Sequence, residues 1–274
     1  MEQEKIFARL LPIITRYYRE QGSGPFVDYL DPDDLDERLE LDNGGGRQDW
    51  EELFTWVEQY LRHAVKTGHP GYVNRMWADA NLPSVIGEMI TAITNTSACT
   101  YETAPVSTLM EKYLLRTMLE LAGFENGSAQ MTTGSSNANM IAMMAARNTR
   151  DAAIKRSGLS GRPQLYGFVN ADAHYSMDRA ANILGIGIEN LIKVPVDDHG
   201  RMTGPALEAA IETVRAAGGE VFFVAATAGT TVRGAYDPLE PLIALRARHG
   251  FWLHVDGAWG GAAIFSDRLR LQYL

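Results

Sequence analysis

VFFVAATAGTTVRGAYDPLEPLIALRARHGFWLHVDGAWGG, residues 221–261, holds two short apolar runs separated by a polar, glycine-bearing turn and a stretch of helical character. The run from Val221 to Thr227 is too short for a buried helix and is rich in β-branched and aromatic residues, so it predicts a strand with apolar side chains on both faces. FWLHVD, residues 251–256, repeats the pattern, and the segment from Pro238 between them predicts a helix. Working outward, AQMTT (129–133) precedes a helix expected near Ser136. LYGFVN (165–170) precedes one near Tyr175, and LIKVPV (191–196) one from Pro205. Strands and helices in strict alternation imply βαβ units, and hence an α/β fold whose parallel sheet is covered on both faces. Ligands in such sheets bind at the carboxyl ends of the strands.

Upstream the pattern is helical. Ile6, Leu10, Ile13, Ile14 and Tyr17 recur at the spacing of an amphipathic helix. DPDDLDERLELD (31–42), running on to Gly44-Gly45-Gly46, reads as an acidic surface connection, followed by a helix from about Trp50 to Val65. After the break at Gly68-His69-Pro70-Gly71 the chain is mostly helical to about Leu121. This divides the sequence into an N-terminal helical segment, 1–68, and a larger domain, 69–274.

With 46% hydrophobic and 22% charged residues the chain is expected to be globular. Its formal charge of −9 and scattered basic residues leave no footprint for nucleic acid, which points to a small-molecule partner. Cys99 is the single cysteine, so an internal disulfide or a multi-cysteine zinc site is excluded, and a reducing, cytoplasmic setting is expected. The N-terminus carries charges throughout, and neither a signal peptide nor a membrane association is expected.

Four strand ends carry chemistry. Thr132-Thr133-Gly134-Ser135-Ser136-Asn137 offers amides and hydroxyls at a helix start, an anion site whose alternative is a plain helix cap by Ser135 or Ser136. It lacks a following Gly-Lys-Ser/Thr, so it is not a nucleotide P-loop. Beyond LYGFVN, His174 could stack on a planar ligand, act in acid-base work or cap the next helix. Ala226 to Thr231 offers hydroxyls on a flexible turn. Asp256 follows an apolar run, and a buried carboxylate there calls for a cationic partner; His254 beside it could instead share a metal with it, though no third ligand is apparent. A phosphorylated, planar, protonatable heterocycle satisfies all four ends, and pyridoxal 5'-phosphate (PLP) is such a molecule.

The segments 69–115, 132–147, 170–192 and 226–261 resemble the group II PLP-dependent decarboxylases, which include glutamate, cysteine-sulfinate and aromatic amino-acid decarboxylases. The resemblance implies the aspartate-aminotransferase-like fold (fold type I), here as an incomplete large domain. It implies that Ser135 and Ser136 hold the phosphate, that His174 stacks on one ring face and Ala258 packs on the other, and that Asp256 pairs with the pyridine nitrogen. Thr231 would approach the phenolic oxygen, with Thr230 as the alternative. The stretch from Ser97 through Cys99 to Tyr101 would line the partner subunit's substrate pocket in a homodimer. Arg75 could clamp a substrate carboxylate, or be a solvated arginine.

The sequence also departs from that family. Its five lysines, Lys5, Lys66, Lys112, Lys155 and Lys193, include none in the context of the Schiff-base lysine, which the family carries beyond the strand ending in the Asp256 segment. The expectation is a decarboxylase of an acidic or aromatic L-amino acid, truncated before that lysine. The alternatives are another PLP reaction, which the His69 to Pro105 block opposes, a non-catalytic remnant, or half of a split enzyme whose second chain supplies the lysine.

Overall fold

The computed structural model of the chain describes residues 2–40, 49–74, 76 and 79–273. They fall into two compact units, Met1–Ser97 and Ala98–Leu274.

The first unit is helical: α1 (Glu2–Arg19), α2 (Pro32–Leu39), α3 (Trp50–His63) and α4 (Leu82–Thr94). α1 packs along α3 by burying Ile13 and Phe54, and their outer edges are tied by Arg16 to Glu58 at 2.6 Å. Asp49 caps α3, its side chain accepting the Glu51 N–H. Of the acidic stretch expected as a surface connection, residues 41–48, including Gly44-Gly45-Gly46, lie outside the described residues, and Pro32–Leu39 forms α2 instead. Pro32 at its first turn, with Asp33 and Asp34 beside it, supplies the ring geometry and negative charge that favour a helix start.

The second unit holds α5 (Pro105–Leu121), α6 (Ser135–Arg150), α7 (Ile154–Ser157), β1 (Leu165–Asn170), α8 (Ser176–Ile183), β2 (Leu191–Val194), α9 (Gly204–Ala216), β3 (Glu220–Thr227), α10 (Leu239–His249), β4 (Trp252–Asp256) and α11 (Asp267–Tyr273). The four strands form one sheet in the order β2-β1-β3-β4, every pairing parallel. The expected α/β architecture is therefore present. AQMTT, expected as a further strand, is not one: residues 129–133 lead into α6 without a ladder, and Met131 is 53% exposed. A strand exists only with a neighbour to share its backbone bonds, and none lies beside this segment among the described residues.

Period-2 alternation distributes β3 over two cores. Phe223 and Ala225 join Met143, Val169 and Met177 beneath α6 and α8, while Val224 and Ala226 join Phe168, Leu207, Ile211 and Leu242 beneath α9 and α10. Burial of this extent stabilises by about 25 cal/mol per Å² of apolar surface removed from water. Because β2 and β3 lie on opposite sides of β1, the strand order reverses at β1, and in α/β sheets the ligand crevice lies at the carboxyl ends of the strands beside such a reversal.

The floor of that crevice is pinned by Asp237. One of its oxygens accepts Met202 N–H at 2.6 Å and Asn170 Nδ2 at 2.8 Å; the other accepts Thr227 N–H at 2.7 Å. Asn170 and Thr227 end β1 and β3, so one carboxylate ties both strand ends together. Burial raises its pKa, and the three donors oppose that shift.

Candidate active site

Four loops converge on the crevice. Gly134 precedes α6 at φ 124°, and no side chain caps the helix, so the plain capping role considered for Ser135 and Ser136 is not what they perform. Both serines are exposed on the first turn of α6, beside its amide dipoles. On the β1–α8 loop His174 Nδ1 accepts the N–H of Ser176, the first residue of α8, at 3.2 Å. Its ring lies 4.1 Å from that of Tyr175, and Arg179 sits over the far partner of this pair, 4.4 Å from the Tyr175 centroid.

After β3, the two candidate threonines separate. Thr230 is buried, its hydroxyl accepting the Ala235 N–H and its amide donating to the Ala235 carbonyl, so it is spent on the turn. Thr231 is exposed. The turn is locked onto the next loop by Gly260 N–H donating to Ala228 O at 2.9 Å and by Tyr236 Oη donating to Gly260 O. Any side chain at Gly260 would collide with the Ala228 carbonyl, so glycine is what allows the two loops to touch.

Asp256 closes β4 and is 6% exposed. Its Oδ1 accepts the Ala258 N–H at 3.1 Å and its Oδ2 accepts Asn139 Nδ2 at 2.9 Å. Among the described residues no lysine or arginine forms an ion pair with it. A buried carboxylate held by two neutral donors is oriented but not neutralised, and it favours a cationic visitor. The idea that His254 and Asp256 share a metal fails on geometry, because the Asn139 amide stands between them: His254 Nε2 lies 2.8 Å from Asn139 Oδ1. Burial lowers the pKa of His254, with the Asp256 charge opposing, so the ring is held neutral.

Asn139, Ser176 and Asp237 belong to this frame and were not singled out from the sequence. An asparagine inside SSNANMIAMM carries no local mark; only the placement of α6 over β4 reveals its role. Of the other candidates, Ser97 closes the first unit and Cys99 follows at the start of the second, both exposed. Arg75 lies outside the described residues.

The chain matches the pyridoxal-dependent decarboxylase conserved domain over residues 32–273. It belongs to that family. Within the pyridoxal-dependent decarboxylases it is 38% identical over 239 residues to an acidic amino acid decarboxylase of Bos taurus, covering 87% of this chain and 46% of that protein. It is 37% identical over 243 residues to cysteine sulfinic acid decarboxylase of Homo sapiens, covering 89% and 49% respectively. The crystal structure of mouse CSAD in apo form superposes with a TM-score of 0.94 at 34% identity, over 97% of this chain and 57% of that one. The chain thus spans about half the length of the curated relatives it matches. Pyridoxal 5'-phosphate is the cofactor of the family, and the donor set here fits it: uncapped amides and hydroxyls on α6 for an anion, and an uncompensated buried carboxylate for a protonated ring nitrogen. Among the described residues no helix is long and apolar enough to cross a membrane.

Proposed function

We propose that this chain builds the cofactor cradle of a PLP-dependent carboxy-lyase for an L-amino acid. The observation that carries the reading is Asp256: a buried, oriented carboxylate with no cation among the described residues, at the crevice of a family whose cofactor has a basic ring nitrogen. When bound, PLP supplies an electron-accepting ring that takes up the electron pair left as carbon dioxide departs.

The chain's own residues would do the rest. Asp256 holds the proton on the ring nitrogen, which keeps the ring cationic. Ser135 and Ser136, with the first amides of α6, bind the phosphate and fix the register of the ring. His174 would lie against one ring face and Ala258 against the other; His174 Nδ1 accepts the Ser176 N–H, and the Ala258 N–H is bound to Asp256. Thr231 is the hydroxyl available for the phenolic oxygen, since that of Thr230 is engaged in its own turn. Lys193 on β2 is paired with Asp178 at 2.8 Å.

The substrate is an acidic amino acid, as the names of the relatives suggest, with an aromatic one as the alternative. Arg75, Ser97 and Cys99 remain the proposed substrate-side residues. A homodimer in the cytoplasm is the proposed working form, supported by the apolar face that α5 leaves exposed at Val106, Met110 and Tyr113. The test is release of labelled carbon dioxide by the protein expressed from its own gene, with PLP, from L-glutamate, L-aspartate, L-cysteine sulfinate and L-tryptophan. Release from the acidic three and not from tryptophan is expected. Release from none refutes the decarboxylase reading, and release from tryptophan alone moves the substrate to the aromatic class.

A further inference from the structure

The side chain at the centre of the frame is Asn139, which is 2% exposed and bonds to three others. Its Nδ2 donates to Asp256 Oδ2 at 2.9 Å and to Ser176 Oγ at 3.0 Å, and its Oδ1 lies 2.8 Å from His254 Nε2. An ionised carboxylate only accepts, so the amide nitrogen must face Asp256 and the amide oxygen must face His254. His254 then carries its proton on Nε2 and donates it to Asn139. The imidazole is itself held by stacking on Phe223, 5.8 Å between centroids at 22°, and Phe223 is fully buried in β3.

We propose that Asn139 is a positioning residue, which, held by His254 and Ser176, fixes the Asp256 carboxylate at the angle that receives the ring nitrogen of PLP. The inference rests on the reading of Asp256 given above, and it adds how that carboxylate is held. Ser176 opens α8 two residues after His174, and Asn139 stands one turn into α6 after Ser135 and Ser136. One amide therefore registers the phosphate helix, the stacking loop and the ring-nitrogen carboxylate against each other. Without it, Asp256 keeps, among the described residues, only the Ala258 N–H as a donor, and the carboxylate is free to turn about its side-chain torsions.

The test uses the protein expressed from its own gene and two ligands: PLP, and its carbocyclic analogue in which a CH group replaces the ring nitrogen and every other substituent is kept. Only PLP can use Asp256, whereas phosphate and stacking contacts serve both, so the ratio of affinities isolates the ring-nitrogen contact. The unmodified protein is expected to prefer PLP. Asn139→Ala should reduce that preference about tenfold, as expected for loss of one hydrogen bond to a charged group. His254→Phe keeps a ring against Phe223 but removes the donor to Asn139, and should reduce the preference about threefold while leaving the circular dichroism unchanged. His254→Phe keeps the question answerable if Asn139→Ala does not fold. A preference unchanged in both variants, or equal weakening of both ligands, overturns the positioning role and leaves the Asp256 reading standing. Absence of any preference in the unmodified protein overturns the Asp256 reading, and the positioning role with it.

Discussion

Asp237→Asn is the substitution that probes most sharply how the crevice floor is held. Asp237 is 4% exposed, and three N–H groups point at its two oxygens. Asparagine offers one acceptor oxygen and one donor nitrogen. The better orientation keeps Met202 and Asn170 on the oxygen and sets the new amide nitrogen against the Thr227 N–H. That leaves a buried donor unpaired, at about 1–3 kcal/mol, and turns two charge-assisted bonds into neutral ones, at about 1 kcal/mol each. Removing a buried charge offsets part of this. Because burial raises the folded pKa of Asp237 above its ordinary 3.8, the native chain binds the proton more readily than the unfolded chain does. Stability from this group is therefore greatest at acid pH and falls as pH rises through the folded pKa. The net deficit of the variant should be roughly 2 kcal/mol near pH 7 and larger near pH 3.8, the ordinary value of the group. Urea unfolding followed by tryptophan fluorescence at both pH values measures it. A deficit below about 0.5 kcal/mol would refute the account of Asp237 as a hydrogen-bonded knot, and one that grows with pH would refute the burial-raised pKa.

Further outcomes follow from the same structure. Phe223→Ala removes a fully buried ring from the centre of the sheet and should cost about 3–5 kcal/mol in urea unfolding; a cost near 1 would mean that β3 is not central. Gly260→Ala places a methyl group 2.5 Å from Ala228 O, which forces the β3 and β4 loops apart, so both the melting temperature and PLP affinity should fall; an unchanged melting temperature contradicts the close-approach argument. The imidazole of His254, followed by NMR, should titrate below its ordinary 6.5. Its contribution to stability should be lost as pH falls through about 6.5 toward the folded value, since the unfolded chain then takes the proton more readily. Replacing Ser135 and Ser136 by alanine should weaken PLP binding about tenfold or more and leave binding of unphosphorylated pyridoxal unchanged.

The strands were legible because β1, β3 and β4 are short apolar runs bounded by turn residues, a pattern that only a doubly covered parallel sheet accommodates. Helix starts were legible to within a residue or two for the same reason. α2 was not, because DPDDLDER carries Leu35 as its single large apolar side chain and buries no residue, so periodicity carries little signal there. AQMTT looked like a strand because composition reports the tendency to extend, whereas pairing depends on a neighbour elsewhere in the chain. In the candidate site, residues at strand ends stood out through position: Asp256 ends an apolar run, and His174 lies four residues past the end of another. Asn139 and Asp237 did not, one because it lies inside a helix and the other because AYDP reads as an ordinary turn. Both became visible only when the fold brought partners 117 and 67 residues away in sequence to their side chains.

The central claim is that the buried carboxylate of Asp256 is the ring partner of PLP. Equilibrium binding of PLP to the protein expressed from its own gene, compared with the Asp256→Ala variant, tests it directly. The account predicts a loss of affinity of about a hundredfold with unchanged circular dichroism, as expected when a charged, buried partner is removed. Equal affinity in the two proteins would contradict it.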